Sequence, residues 1–298
     1  MTPFAIAGVQ MTVAMGDNMP AVRERIAFTM AIYPWVQMVM FSELAVYGPD
    51  TRSAQPMPGP VELELCALAK QYGIWLLPGS LYELADGVIY NTTPVINPEG
   101  VVVARHRKLF PFTPYEEGVT PGATWVVFDV PAVGRFGVSI CYDMWFPETS
   151  RTLACMGAEV LLHPSLTGTI DRDIELAIGR ATAAQNQMFV FDVNGCGVGG
   201  NGQSQVVAPT GEVLYRSGRS PEVVPIEIDL DRVRRSREVG LRGLGQPLKS
   251  FRDRTVEFPA YPRSAANMEH LSRLGPLAKP VRGSMAGLTD PEGLGTTV

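Results

Sequence analysis

The sequence predicts an α/β fold built on two mixed sheets covered by helices. Helical segments alternate with apolar runs of strand length, the pattern of helices packed on sheets. Hairpin turns then interrupt the alternation, at Asn-Pro-Glu-Gly (97–100) and Ala-Pro-Thr-Gly-Glu (208–212), where a single parallel sheet would have none. Beyond about residue 253 the chain turns rich in Pro, Gly, Ser and Arg, a composition that cannot build its own core. The expected division is therefore a domain over 1–253 and an arm over 254–298, packed on the body or on a partner subunit.

Each element has its own signal. "FAIAGVQM" (4–11) is apolar and short enough for a buried first strand. Asp17 or Asn18 caps a helix over 20–32, and "WVQMVMF" (35–41) returns as strand. Residues 61–72 have helical spacing and stop at Gly73, a C-terminal glycine; "IWLLPGS" (74–80) follows as strand. Residues 91–108 make a hairpin about the Asn-Pro-Glu-Gly turn, and 124–130 pairs with 136–140. A helix starts at Pro147 and ends near Gly157, and "EVLLHPS" (159–165) is strand. A helix over 173–186 precedes strands at 188–194, 203–208 and 212–216, and residues 222–230 close the regular part.

Bulk composition removes several classes of function. Of 298 residues, 46% are apolar and 18% charged, ample for a core and unlike a disordered chain. A net charge of −5 leaves no electrostatic footprint for nucleic acid. No apolar run approaches the ~18 residues of a membrane span. The start, "MTPFAIAGVQMT", reads as a strand rather than a signal peptide. Cys66, Cys141, Cys155 and Cys196 lack paired spacing, which points to free thiols in a reducing cytoplasm and away from a disulfide framework or zinc. No metal and no cofactor is expected. The glycine-rich stretch 195–202 lacks the Gly-Lys-Ser/Thr ending of a phosphate loop and reads as a pocket wall.

The chemistry-bearing signal lies at strand ends. In "GVSICYDMWFPETSR" (137–151) an apolar run delivers a lone thiol, Cys141, to a sharp turn. A thiol near its ordinary pKa needs a base to act as a nucleophile. His106, in an alternating strand, His163, before Pro164, and His270, in the tail, all read as structural or surface residues. In "MVMFSELAVYGPD" an apolar strand instead runs directly into Glu43, and a buried carboxylate is costly unless paired or neutral. Lysines number four, and Lys108 ends a strand before the apolar, proline-punctuated "LFPFTPYEEGVTPG". Acid, ammonium and sulfur thus stand at three strand ends. Asp143 and Glu148, without a histidine cluster, read as structural rather than metal ligands, and so do Cys155 and Cys196.

"FSELAVYGPD", "HRKLFPFTPYEEGVTPG" and "GVSICYDMWFPETSR", in that order and spacing, resemble the three signature blocks of the nitrilase superfamily of carbon–nitrogen hydrolases, and "GQSQVVAPTGEVL" (202–214) extends the likeness. The resemblance covers residues 4–230. It implies a four-layer α-β-β-α sandwich paired into a homodimer or higher homo-oligomer, and a triad that maps onto Glu43, Lys108 and Cys141, with a second glutamate from the loop after the lysine. Spacing from Lys108 favours Glu116 and adjacency to Gly118 favours Glu117; Glu116 is taken as the catalytic one and Glu117 as a substrate contact. The backbone N–H of Tyr142 would stabilise the oxyanion. Tyr47, Tyr115, Tyr142 and Trp145 are candidate substrate neighbours, and Leu166 and Thr167 candidate pocket lining. Cys-Tyr-Asp at 141–143 resembles the amidase and carbamoylase branches rather than the Cys-Trp-Glu of nitrilases. "DMWFPE" resembles N-carbamoyl amine hydrolases, while the Lys108 loop resembles aliphatic amidases, and the loop carries more weight. The implied activity is hydrolysis of a small or aryl carboxamide, or a hydrazide, through a cysteine thioester. N-carbamoyl amine hydrolysis is the alternative, with nitrile hydrolysis and a non-catalytic binding module behind it.

Overall fold

The computed structural model describes residues 1–262, 268, 271–274 and 277–279. The chain falls into two compact units, one of Met1–Pro111 and Gly118–Arg252, the other of Phe112–Glu117 with the chain from Asp253. The larger unit contains two large sheets and a small one of Gly200–Asn201, Cys196–Gly197 and Thr12–Val13. In the first, the strand order is Glu222–Asp229, Pro3–Gln10, Met38–Phe41, Trp75–Leu77, Val88–Ile96 and Leu81–Ala85, with Val102–Arg107 also pairing Val88–Ile96. In the second it is Val213–Arg216, Gln205–Val207, Phe189–Asn194, Val160–Ser165, Gly134–Val138 and Val126–Val130. Both are mixed. Pro3–Gln10, Met38–Phe41 and Trp75–Leu77 run parallel, as do Gly134–Val138, Val160–Ser165 and Phe189–Asn194, while the hairpins add antiparallel strands outside them.

Alternation along the strands builds the layers. Phe4, Ile6, Met38, Met40, Trp75 and Leu77 from one sheet meet Phe128, Phe136, Val160, Leu162, Phe189 and Phe191 from the other in one buried cluster. Phe4 meets Phe136 edge-on at 5.4 Å and Trp75 stacks on Phe128 at 5.5 Å. Such ring pairs each add about 0.5–1.5 kcal/mol beyond the area they bury. The opposite face of the first sheet, with Ala7, Val9, Val39 and Phe41, packs on Val22 and Ile26 of helix Met19–Ile32 and on Leu65 and Ala69 of helix Pro60–Tyr72. The opposite face of the second, with Leu161, Val190 and Val207, packs on Leu153 of helix Pro147–Cys155 and Ala183 of helix Asp171–Asn186. The layers are therefore α-β-β-α, as the resemblance implies. These central strands are apolar almost throughout because both of their faces are covered.

Helix Pro60–Tyr72 ends at Gly73, whose φ of 62° is the left-handed conformation glycine adopts without a side-chain clash. Three features differ from the sequence reading, the first being the small sheet formed in the glycine-rich stretch. Leu81–Ala85 is an additional strand, and regular structure continues past residue 230 in helices Asp231–Val239 and Pro247–Arg252. Asp231–Val239 has no apolar stripe to announce it, since only Val233 and Ser236 are buried. Its arginines hold it instead: Arg234 Nε donates to Glu159 Oε1 at 2.9 Å and Arg237 Nε to the Gln187 carbonyl at 3.2 Å.

In the smaller unit, the Tyr115 and Glu116 amides donate to the Phe112 carbonyl, and the Phe112 and Tyr115 rings stack at 5.0 Å. Residues 263–267, Glu269 and His270 lie outside the described residues, and the part that follows holds a short turn, Leu271–Arg273. Among the described residues no helix is long and apolar enough to cross a membrane.

Candidate active site

Glu43 follows the central strand Met38–Phe41, where the chain leaves the sheet abruptly. The Glu43 amide donates to the Ser165 carbonyl of the second sheet at 3.2 Å, and Leu44 takes a positive φ of 51° while its amide donates to Ser80 Oγ at 3.0 Å. A Cβ on Gly79 would lie 1.8 Å from the Ser42 carbonyl oxygen, so only glycine fits against the backbone that presents Glu43. Glu43 is 3% exposed, and its Oε1 accepts from Lys108 Nζ at 2.8 Å and from Asn91 Nδ2 at 2.9 Å. Lys108, 2% exposed, follows strand Val102–Arg107, and its amide donates to the Asn91 carbonyl at 2.8 Å. Asn91 thus bonds both partners. The alternating "YNTTPV" (90–95) contained this residue without marking it, because a strand asparagine carries no signal until its neighbours are known.

Cys141 opens the short turn Cys141–Trp145 three residues beyond the end of strand Gly134–Val138, with a φ of 46°. A non-glycine residue in this region costs about 1–3 kcal/mol and persists where the surroundings over-determine it. Asp143 supplies much of that determination. Its fully buried carboxylate accepts from the amides of Leu109, Phe110 and Ile140, each at 2.9 Å, and bonds His106 Nε2 at 3.0 Å. One side chain thereby ties the turn carrying Cys141 to the loop that follows Lys108.

Burial pushes the Cys141 thiol well above its ordinary pKa, and the Glu43 charge pushes it the same way. Lys108 opposes them, Glu175 adds to them, and a backbone hydrogen bond with Leu166 favours the thiolate. Burial and two carboxylates outweigh Lys108, so the thiol is neutral at rest. The histidines have other partners. His106 bonds Asp143, and His163 Nδ1 lies 2.8 Å from Ser139 Oγ, with burial lowering its pKa to about 4. His270 lies outside the described residues.

Thr167 approaches the sulfur, with Oγ1 3.7 Å from Cys141 Sγ. Its amide donates to Asn194 Oδ1 at 2.8 Å and its carbonyl accepts from Asn194 Nδ2 at 2.9 Å. Half-buried Leu166 packs against Leu44, Tyr82 and Val119. Half-buried Trp145 donates from Nε1 to Glu175 Oε1 at 3.2 Å. Tyr142 lies against Trp145 and, edge-on at 5.3 Å, against Phe146, whose ring stacks on Phe110 at 3.6 Å. Tyr47 packs against the cluster between the first sheet and its helices. Glu116 and the exposed Glu117 and Tyr115 belong to the smaller unit, where Glu116 Oε2 accepts from the Phe112 amide at 2.6 Å.

Glu175 is the residue the sequence reading missed. It sits on helix Asp171–Asn186 beside Arg172, and both face inward. Arg172 Nη1 donates to Glu175 Oε2 at 3.3 Å, Nη2 pairs with Asp192 Oδ2 at 2.9 Å, and Nη2 donates to the Gln203 carbonyl at 2.8 Å. Burial raises the Glu175 pKa, and Arg172 opposes the rise. The available signal was Arg172 and Glu175 at i, i+3 on the same face as Leu176 and Gly179, a face that a core-packed helix would make apolar. Among the described residues no group of three or more His, Cys, Asp or Glu could hold a metal ion.

Known proteins share this arrangement of chain. Residues 6–238 match the family model described as carbon-nitrogen hydrolase. The chain is 32% identical over 203 residues to omega-amidase NIT2-B of Xenopus laevis, covering 62% of this chain and 72% of that protein. It is 30% identical over 210 residues to a formamidase of Bacillus cereus, covering 66% and 63%. Among solved structures, Saccharomyces cerevisiae Nit3, a member of branch 10 of the nitrilase superfamily, superposes with a TM-score of 0.73 at 26% identity, over 80% of this chain and 94% of that one. An amidase from Nesterenkonia sp. AN1, solved with butyramide, superposes with a TM-score of 0.70 at 23% identity, over 79% and 94%, and shares the fold. A match across more than three quarters of the sequence, on the α-β-β-α layers described above, makes this chain a member of the carbon–nitrogen hydrolase family.

Proposed function

We propose that the protein hydrolyses the C–N bond of a carboxamide through a thioester on Cys141. The observation that carries the reading is the buried Glu43–Lys108 pair, 2.8 Å apart, whose charges act on a buried thiol held at positive φ. Relatives named omega-amidase and formamidase support amide hydrolysis. Because the thiol rests neutral, the reaction begins with a base. Glu43 takes the thiol proton as sulfur attacks the amide carbon, and the ammonium of Lys108 and the Tyr142 backbone N–H stabilise the oxyanion. Glu43 returns that proton to the leaving nitrogen as the C–N bond breaks. A water, deprotonated by Glu43, then attacks the thioester and releases the carboxylate, and sulfur recovers its proton. Glu116 is the proposed second glutamate, with Glu117 as a substrate contact. Trp145, Leu166, Thr167 and Tyr47 are the proposed pocket residues.

The substrate class we propose is a small or aryl carboxamide, or the corresponding hydrazide, which differs only in its leaving nitrogen. Arg172 is committed to Glu175, Asp192 and the Gln203 carbonyl, so it is not available to anchor a substrate carboxylate. That weighs against N-carbamoyl amino acids. The proposed assembly is a homodimer or larger homo-oligomer in the cytoplasm. Cys141→Ala should abolish turnover while leaving the thermal midpoint near that of the parent, and retained turnover would overturn the reading. Ammonia release from amides, nitriles and carbamoyl compounds, measured beside hydrazine release from hydrazides, identifies the leaving group.

A further inference from the structure

Behind the thiol lies a second buried carboxylate that the proposed triad does not use. Thr167 Oγ1 stands between them, 3.7 Å from Cys141 Sγ and 3.1 Å from Glu175 Oε1. The two-point clamp from Asn194 fixes the Thr167 backbone, and Glu175 is held by Trp145 Nε1 and Arg172 Nη1, so neither end can swing away. Hydrogen-bond direction then follows from charge. An ionised carboxylate only accepts, so it commits the Thr167 proton to Glu175 and leaves the Thr167 oxygen to accept from the Cys141 S–H. A neutral group at 175 can donate to Thr167 Oγ1, which frees the hydroxyl proton to turn toward sulfur.

We propose that Thr167 and Glu175 are positioning residues forming a hydroxyl relay that sets the proton on Cys141. With Glu175 charged, Thr167 accepts from the thiol and holds it neutral; with the charge removed, Thr167 donates to the thiolate. No bond other than hydrogen bonds changes, and the proton leaving sulfur still goes to Glu43. This rests on the reading of Cys141 as nucleophile. The charged groups acting on the sulfur are Glu43, Lys108 and Glu175, with Arg172 and Asp192 behind Glu175. The Glu175 charge also raises the thiol pKa through space, an effect the double variant below separates from the relay. A thiol kept neutral until substrate arrives is also shielded from oxidation, which follows thiolate character.

The test is the pH dependence of Cys141 alkylation by iodoacetamide on the full chain. It is read from the mass of the Cys141 peptide so that exposed Cys155 does not contribute. Glu175→Gln should lower the midpoint of the profile by about one pH unit and raise the rate at neutral pH about tenfold. Thr167→Val should also lower the midpoint, because the thiol loses its acceptor, and Thr167→Ser should restore the parent profile. In the Thr167→Val background, Glu175→Gln should change the rate less than about threefold. Equal effects of Glu175→Gln in both backgrounds would mean that its charge acts through space, and would overturn the relay. So would a Thr167→Val profile identical to the parent, which remains decisive if Glu175→Gln does not fold. If Cys141→Ala retains turnover, the nucleophile assignment has failed, a result read separately from the alkylation profiles.

Discussion

Two buried ion clusters act on the same sulfur, and they differ in partners and origin. Glu43 and Lys108 form a direct ion pair at 2.8 Å, with Asn91 bonding both. Arg172 faces two carboxylates, Glu175 and Asp192. Breaking a buried pair exposes an uncompensated charge. The Arg172 cluster can relieve itself by taking up a proton, which is the direction in which Glu175 is shifted. On the proposed mechanism the Glu43–Lys108 pair does the chemistry and the Arg172 cluster tunes the thiol.

The largest expected effect breaks the Glu43–Lys108 pair. Glu43→Gln keeps an acceptor for Lys108 and Asn91 but removes the base, so steady-state turnover should fall by about 10²–10⁴. Turnover within threefold of the parent would transfer the base role elsewhere. Next, Arg172→Met leaves two buried carboxylates without their cation and should cost about 3–5 kcal/mol in denaturant unfolding at neutral pH. The loss should shrink at low pH. A carboxyl whose folded pKa is raised favours the folded state when protonated, so its contribution is fully present below the unfolded value of 4.5 and is lost as pH rises through the folded value. A pH-independent loss would contradict this.

A smaller effect isolates His163, which belongs to neither cluster. Its pKa falls from 6.5 to about 4 on folding, so the unfolded chain binds the proton first. Stability from this group is present above 6.5 and is lost as pH falls through 4, by at most about 3 kcal/mol. His163→Gln should flatten the unfolding free energy between pH 6.5 and 4, and an unchanged slope would show that the group is not the one titrating.

The two clusters were not equally legible. Glu43, Lys108 and Cys141 stand out because each violates its local pattern, a charge or a thiol closing an apolar strand. Glu175 does not, since a charged residue on a helix is ordinarily a solvated one, and its place on the face of Leu176 and Gly179 is a weaker signal than a charge ending an apolar strand. The same asymmetry governs the fold. Apolar runs such as Val160–Ser165 and the glycine stop at Gly73 announced their elements, whereas helix Asp231–Val239 is held by arginines reaching partners far along the chain.

Local order of apolar and polar residues therefore determined most strands and helices, the two-sheet class and the three odd residues at strand ends, because backbone periodicity and burial cost act over a few neighbours. Only the tertiary structure decided that Asn91 bonds both members of the acid–ammonium pair, that Asp143 joins two loops, and that Thr167 stands between a thiol and a second carboxylate. Those contacts join residues far apart in sequence, and hydrogen bonds depend on distances of a few tenths of an ångström that no local pattern encodes.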